Sequence, residues 1–276
     1  VKEPFNFLEK EGFRITYLPV DKDGIVDIEA LKDALDDETI LVSVMYVNNE
    51  IGAVEPIEEI GHIIKDYNPD IVYHVDAIQA YGKYKIYPKK LGIDLLSVSG
   101  HKIHGPKGIG FLYIKKGVHI PPFITGGGQE SGMRSGTEPT PLIMGLMGAV
   151  NELPNAETQL KKQQELFCFA AEKLSALKGT VINSPQGCLP YILNISLPGY
   201  RSETLLHFLE SRDIFVSSGS ACAKGHGSYV LNEMGLDRHI VDSALRISFS
   251  RYNTKEDIIL LCEALSDAVK QIRRAN

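Results

Sequence analysis

The residues best suited to chemistry stand at the ends of three apolar runs. TILVSVMYV (39–47) leads into Asn48-Asn49-Glu50, DIVYHVDA (70–77) carries Asp76 near its end, and DLLSVSG (94–100) leads into His101-Lys102. Lys102 has two readings. It is a solvated strand end, or it is a Schiff-base lysine, which needs a desolvated pocket to lower its pKa and a stiff backbone to aim it. The glycines and proline of HGPKGIG (104–110) supply a tight loop just after it. Ser99 and His101 can donate to a phosphate. Asp76 is costly at the end of a buried strand unless it is paired. It is either a helix N-cap or the partner of a pyridinium nitrogen. Gln79, three residues on, can reach a ring oxygen.

The elements that must position these groups are legible in outline. The three runs read as buried strands, and GIGFLYIK (108–115) as a fourth. DIEALKDALD (27–36) has helical spacing, and EPIEEIGHIIKDY (55–67) is a helix with Pro56 in its first turn. Strands alternating with helices indicate an α/β layer architecture, which places ligands at the carboxyl ends of its strands. Glycines peak in TGGGQESGMRSGTEPTP (125–141); LIMGLMGAVNEL follows, and then a long polar helical pattern to about residue 178. The final third reads as strand 191–198, helix 202–213, a strand end running into a small-residue loop at 215–228, strand 244–253 and helix 254–274 with Thr254 as N-cap. The boundary between a first and a second domain is placed near residues 138–160.

Bulk composition sets limits. The chain has 276 residues, 43% hydrophobic and 23% charged, as in ordinary globular proteins. A net charge of −6 argues against a dedicated nucleic-acid binder. No window reaches the length of a membrane span, and the N-terminus carries no signal-peptide core.

Four cysteines compete for one role. None forms a CxxC pair, and their scatter suggests a reducing compartment. Cys168 and Cys262 lie in helical patterns beside apolar residues and read as buried packing. Cys188 follows Gly187 in a turn and reads as exposed. Cys222 lies in SSGSACAKGHG (217–227), a loop without large apolar residues, where Lys224 and His226 favour a thiolate. It is either an incidental surface thiol or a mobile nucleophile able to carry a persulfide.

VNNEIGAVEPI, YHVDAIQAYGK, SVSGHKIHGPKGIGFLYI, GGGQESGMRSGTEP and SSGSAC, in this order, closely resemble the cysteine desulfurase family. These are pyridoxal phosphate enzymes of fold type I in the class V aminotransferase group, and the resemblance runs from about residue 10 to 273. It implies an α/β fold with a large, mostly parallel-sheet domain, represented in part by residues 1–150, and a smaller α+β domain, 151–276, carrying the Cys222 loop. Lys102 would hold pyridoxal 5′-phosphate, Asp76 would pair with the pyridine nitrogen, and Gln79 would contact the ring hydroxyl. Ser99 and His101 would bind the phosphate, and Thr137 would reach the phosphate of a neighbouring subunit in a homodimer. Asn49 would lie near the ring oxygen and the substrate carboxylate. Arg246 would clamp that carboxylate with a fork that lysine lacks.

The reaction implied converts L-cysteine to L-alanine and leaves a persulfide on Cys222. A sulfur acceptor, an iron–sulfur scaffold protein or a tRNA-thiolation enzyme, would then take the sulfur. The implied setting is cytoplasmic, with no membrane and no direct nucleic-acid contact. SSGSAC matches one branch of the family and not the branch with an Arg-x-Gly-x-His-Cys motif. The stretch from Cys222 to SYVL is slightly shorter than in that branch's iron–sulfur members. The resemblance also implies roughly 100 residues before the point matching Val1, with a Gly/Thr turn at a helix N-terminus whose N–H groups favour phosphate, and a histidine that stacks on the cofactor. Neither lies within these 276 residues. Two other readings stand beside this one: a selenocysteine lyase or class V aminotransferase, and a non-catalytic family member acting through interactions.

Overall fold

The computed structural model describes residues 2–219 and 227–274; Cys222 lies outside the described residues. The chain begins with α1 (Lys2–Lys10) and α2 (Ile28–Ala34), then β1 (Leu41–Met45), α3 (Ile57–Tyr67), β2 (Val72–Asp76), β3 (Leu95–Ser99) and β4 (Gly110–Ile114). Helices α4 (Thr140–Asn151) and α5 (Ala156–Ser175) follow, then β5 (Val181–Ile182), β6 (Ile192–Ser196) and α6 (Ser202–Glu210). The chain closes with α7 (Tyr229–Glu233), α8 (Arg238–Val241), β7 (Ala244–Ser248) and α9 (Lys255–Gln271).

The first sheet has the order β1-β2-β3-β4, with β1, β2 and β3 parallel and β4 antiparallel to β3. Its strands are not buried on both faces as their apolar runs suggest. β2 and β3 alternate, because α3 covers only one face. On that face Tyr73, Val75, Leu96 and Val98 pack with Ile57, Ile60 and Ile64. A side chain at Gly61 of α3 would place its Cβ 2.2 Å from the Leu91 carbonyl oxygen, so only glycine allows this close approach. The other face carries the polar residues. His74 Nδ1 bonds Ser43 Oγ at 2.7 Å and its Nε2 bonds Ser97 Oγ at 2.8 Å, so three adjacent strands are linked by side chains. β1 is half-buried along its whole length.

The second sheet, β5-β6-β7, is antiparallel. Its core joins Leu193, Ile195, Leu245 and Ile247 to apolar residues of α5, α6 and α9. β7 stops at Ser248, short of the expected strand, because Ser250 N–H and Oγ both turn back to Asn253 Oδ1. The Thr254 N–H donates to Asp257 Oδ2 at 3.0 Å, closing the first turn of α9. Helices α4 and α5 part at Pro154, where Asn155 caps α5 through the Thr158 N–H, and α5 runs close to the expected end near residue 178. A third apolar cluster joins the two sheets' surroundings: Ile51 and Ala53 pack with Leu231, Met234, Val241 and Ala244. Among the described residues no helix is long and apolar enough to cross a membrane.

Candidate active site

Three candidate groups stand at the carboxyl ends of adjacent parallel strands. Asn49 follows β1, Asp76 ends β2 and Ser99 ends β3. After Ser99 the chain turns through a 3-10 helix, Gly100–Ile103, which contains Lys102. His104 ends the turn in the left-handed region at φ 63°, and the Gly105 N–H returns to the Gly100 carbonyl at 2.9 Å. The glycines of this stretch answer to close packing. A Cβ on Gly110 would lie 2.2 Å from the Val98 carbonyl oxygen, and one on Gly100 would lie 3.0 Å from Leu146 Cδ1 of α4. The lysine is therefore carried on a turn clamped between β4 and α4.

Ser99 Oγ and His101 Nδ1 are 2.8 Å apart. Burial lowers the His101 pKa, and the cations Lys102 and Lys107 lower it further. Lys102 is half-buried and lines a cavity of about 30 Å³ with Lys83, His104, Tyr191 and Arg251. Lys83 Nζ donates to the Gln79 carbonyl at 2.8 Å. Burial, reinforced by the charge of Lys102, pulls the Lys83 pKa down to about 8. This second amine was not anticipated from sequence, where a single lysine after a glycine carries no signal.

Asp76 accepts from the Ile78 N–H at 3.0 Å through Oδ1, so it caps the turn that carries Gln79. The helix N-cap reading of Asp76 is not met, because the residues after it form a turn and no helix starts there. On the same face His74 is held between two serines; burial lowers its pKa and the Asp76 charge opposes that. Arg246 of β7 donates from Nη1 to the Asn49 carbonyl at 3.1 Å. Burial lowers the pKa of its guanidinium and the charge of Glu50 raises it. Among the described residues the buried Arg246 Nε has no hydrogen-bond partner.

Thr137 is exposed in the loop before α4. Two cysteines differ from expectation. Cys168 is exposed, because the buried face of α5 is Gln163, Leu166, Ala170 and Leu174, and position 168 lies off that stripe. Cys188 is buried, because its N–H folds back to the Pro185 carbonyl in a turn packed beside Leu189; burial pushes its thiol up to about 11. Cys262 is half-buried against the second core.

The donor set fits pyridoxal 5′-phosphate: an amine at Lys102, a carboxylate at Asp76, and a hydroxyl–imidazole pair at Ser99 and His101. The Arg246 Nε, unpartnered among the described residues, adds a donor for an anion.

Comparison with known proteins agrees. The Aminotransferase class-V family model matches residues 2–261. A cysteine desulfurase IscS of Clostridium botulinum is 46% identical over 284 residues, covering 97% of this chain and 68% of that protein. A mitosomal cysteine desulfurase of Trachipleistophora hominis is 43% identical, covering 99% of this chain and 64% of that protein. The solved structure of a NifS-like protein superposes with a TM-score of 0.90 at 39% identity, over 99% of this chain and 72% of its own. The chain spans about two thirds of the length of the curated relatives it matches. The fold is that of the fold-type I pyridoxal phosphate enzymes, and the chain belongs to the class V aminotransferase family, within its cysteine desulfurases.

Proposed function

We propose that this chain carries cysteine desulfurase chemistry, taking sulfur from L-cysteine onto Cys222 and releasing L-alanine. The observation that carries the reading is Lys102 on a clamped turn beside the strand ends that bear Asp76 and Asn49. In this reading residues 1–150 hold pyridoxal 5′-phosphate and residues 151–276 form the second domain. Ser99 and His101 bind the cofactor phosphate, Asp76 faces the pyridine nitrogen and Gln79 the ring hydroxyl. Thr137 serves the phosphate site of a second copy in a homodimer. When bound, the cofactor supplies an electron sink for the substrate's Cα.

The chain's own residues do the rest. Arg246 and Asn49 orient the substrate carboxylate. Lys102 Nζ takes the α-proton. The Cys222 thiolate attacks the substrate sulfur: the S–S bond forms as the C–S bond breaks. The bonding electrons stay with the substrate carbon, which is protonated to give alanine. The persulfide then passes to an acceptor, an iron–sulfur scaffold protein or a tRNA-thiolation enzyme, in the cytoplasm.

The test pairs two variants of the cofactor-loaded chain. Borohydride reduction should fix the cofactor to the peptide bearing Lys102, and Lys102→Ala should remove that adduct. Cys222→Ser should keep the cofactor absorbance and lose persulfide and alanine formation. Full desulfurase activity in Cys222→Ser overturns the assignment.

A further inference from the structure

The turn after β1 is held from the other end of the chain at three points. Arg246 Nη1 donates to the Asn49 carbonyl at 3.1 Å and Asn194 Nδ2 to the Glu50 carbonyl at 3.1 Å. Ser228 Oγ donates to Glu50 Oε2 at 2.5 Å. Asn194 faces Arg246 in the β6–β7 ladder, so the first two bonds come from paired positions of one sheet.

Glu50 is 4% exposed, and a carboxylate so buried is stable only with donors or a cation around it. It attracts Arg246, yet among the described residues the two form no ion pair. Its carboxylate is instead turned onto Ser228. The Ser228 hydroxyl oxygen accepts the Leu231 N–H at 3.1 Å as the N-cap of α7, which fixes the rotamer and aims its proton at Glu50. The guanidinium is thus half-buried beside a compensating charge, and among the described residues its Nε has no partner.

We propose that Glu50 is a positioning residue: it supplies the counter-charge that keeps the half-buried Arg246 in place, and Ser228 holds its carboxylate off the guanidinium fork, leaving the fork open to a substrate carboxylate. The ligand part rests on the reading of Arg246 given above. The residue never touches substrate; it acts through Arg246.

The test reads Arg246 directly in the cofactor-free full chain, by its rate of modification with phenylglyoxal mapped by peptide mass spectrometry. In Ser228→Ala the freed carboxylate swings onto the fork, and Arg246 is modified several-fold more slowly than in the wild type. In Glu50→Gln, where the amide oxygen still accepts from Ser228, the lost charge makes modification several-fold faster. The double variant behaves as Glu50→Gln, because no charge remains to be released. A merely structural latch gives the opposite sign for Ser228→Ala, since loosening it exposes the arginine. Unchanged labelling in Glu50→Gln, or faster labelling in Ser228→Ala with its thermal transition intact, overturns the proposal. If Ser228→Ala does not fold, the Glu50→Gln rate decides alone. Protection of Arg246 by L-cysteine is measured separately: its absence overturns the ligand assignment, while the order of rates still decides the role of Glu50.

Discussion

Arg246 and Asn49 stand 197 residues apart in sequence and are joined by a 3.1 Å hydrogen bond from guanidinium to backbone carbonyl. That bond uses one nitrogen of a fork whose Nε is unbonded among the described residues. Lysine at this position keeps the charge but offers no fork. Arg246→Lys is expected to lose a charge-assisted contact to the substrate carboxylate, about 1.5–3 kcal/mol or roughly ten- to hundredfold in KM for L-cysteine. Steady-state alanine release across cysteine concentrations measures it. A KM equal to the wild type would remove Arg246 from substrate binding.

The Lys83 pKa is lowered from 10.5 to about 8 by burial and by Lys102. The folded chain therefore binds fewer protons than the unfolded chain between pH 8 and 10.5. The cost of this burial is fully present below pH 8 and is relieved as pH rises through that window. Lys83→Met is expected to raise the thermal midpoint at pH 7, with the difference shrinking toward pH 10. It should also raise the pH at which the Lys102 amine becomes reactive, because a neighbouring cation is gone. Competitive acetylation followed by peptide mass spectrometry reads the second effect.

Glu55 shows the complementary case. Burial raises its carboxyl from 4.5 to about 7, against the opposing bond from the Val26 N–H at 3.0 Å. Here the folded state holds its proton longer than the unfolded state, so the neutral form costs nothing at pH 4 and stability is lost as pH climbs from 4.5 to 7. Glu55→Gln keeps an acceptor for Val26. It should be near neutral at pH 4 and stabilising by about 1–3 kcal/mol at pH 8. Urea unfolding at the two pH values checks the sign.

Gly110 is paired with Ser99 in the β3–β4 ladder, and a Cβ there would stand 2.2 Å from the Val98 carbonyl oxygen. Backbone cannot yield as a flexible side chain does. Gly110→Ala is expected to separate β4 from β3, displace the turn bearing Lys102, and lower the borohydride-trapped cofactor adduct severalfold. Gly108→Ala meets nothing within 4 Å, although its φ of +83° adds backbone strain, and serves as the milder comparison.

The sequence marks the strand ends well because an apolar run that stops at Asp76 or Ser99 leaves few other places for a polar group. The order of the four strands and the antiparallel pairing of the second sheet are not in that punctuation, because they depend on which strands meet in space. Sidedness was less legible: a run such as VYHVD contains His74, and its apolar average hides a polar ladder linking Ser43, His74 and Ser97. Burial of single cysteines also escaped notice, since Cys168 and Cys188 are decided by helix phase and by a local turn. The roles of Lys83 and Glu50 could not be read at all. Each depends on a partner from another segment of the fold, Lys102 for one and the distant Ser228 for the other.

The three bonds that fasten the turn after β1 come from Asn194, Ser228 and Arg246, all in the last third of the chain. During synthesis the first sheet can assemble long before these residues leave the ribosome, since domains fold largely as they emerge. The fastenings at Asn49 and Glu50 are then among the last features to form. A nascent or prematurely ended chain would possess the lysine turn while lacking the fastenings that hold the end of β1 beside it.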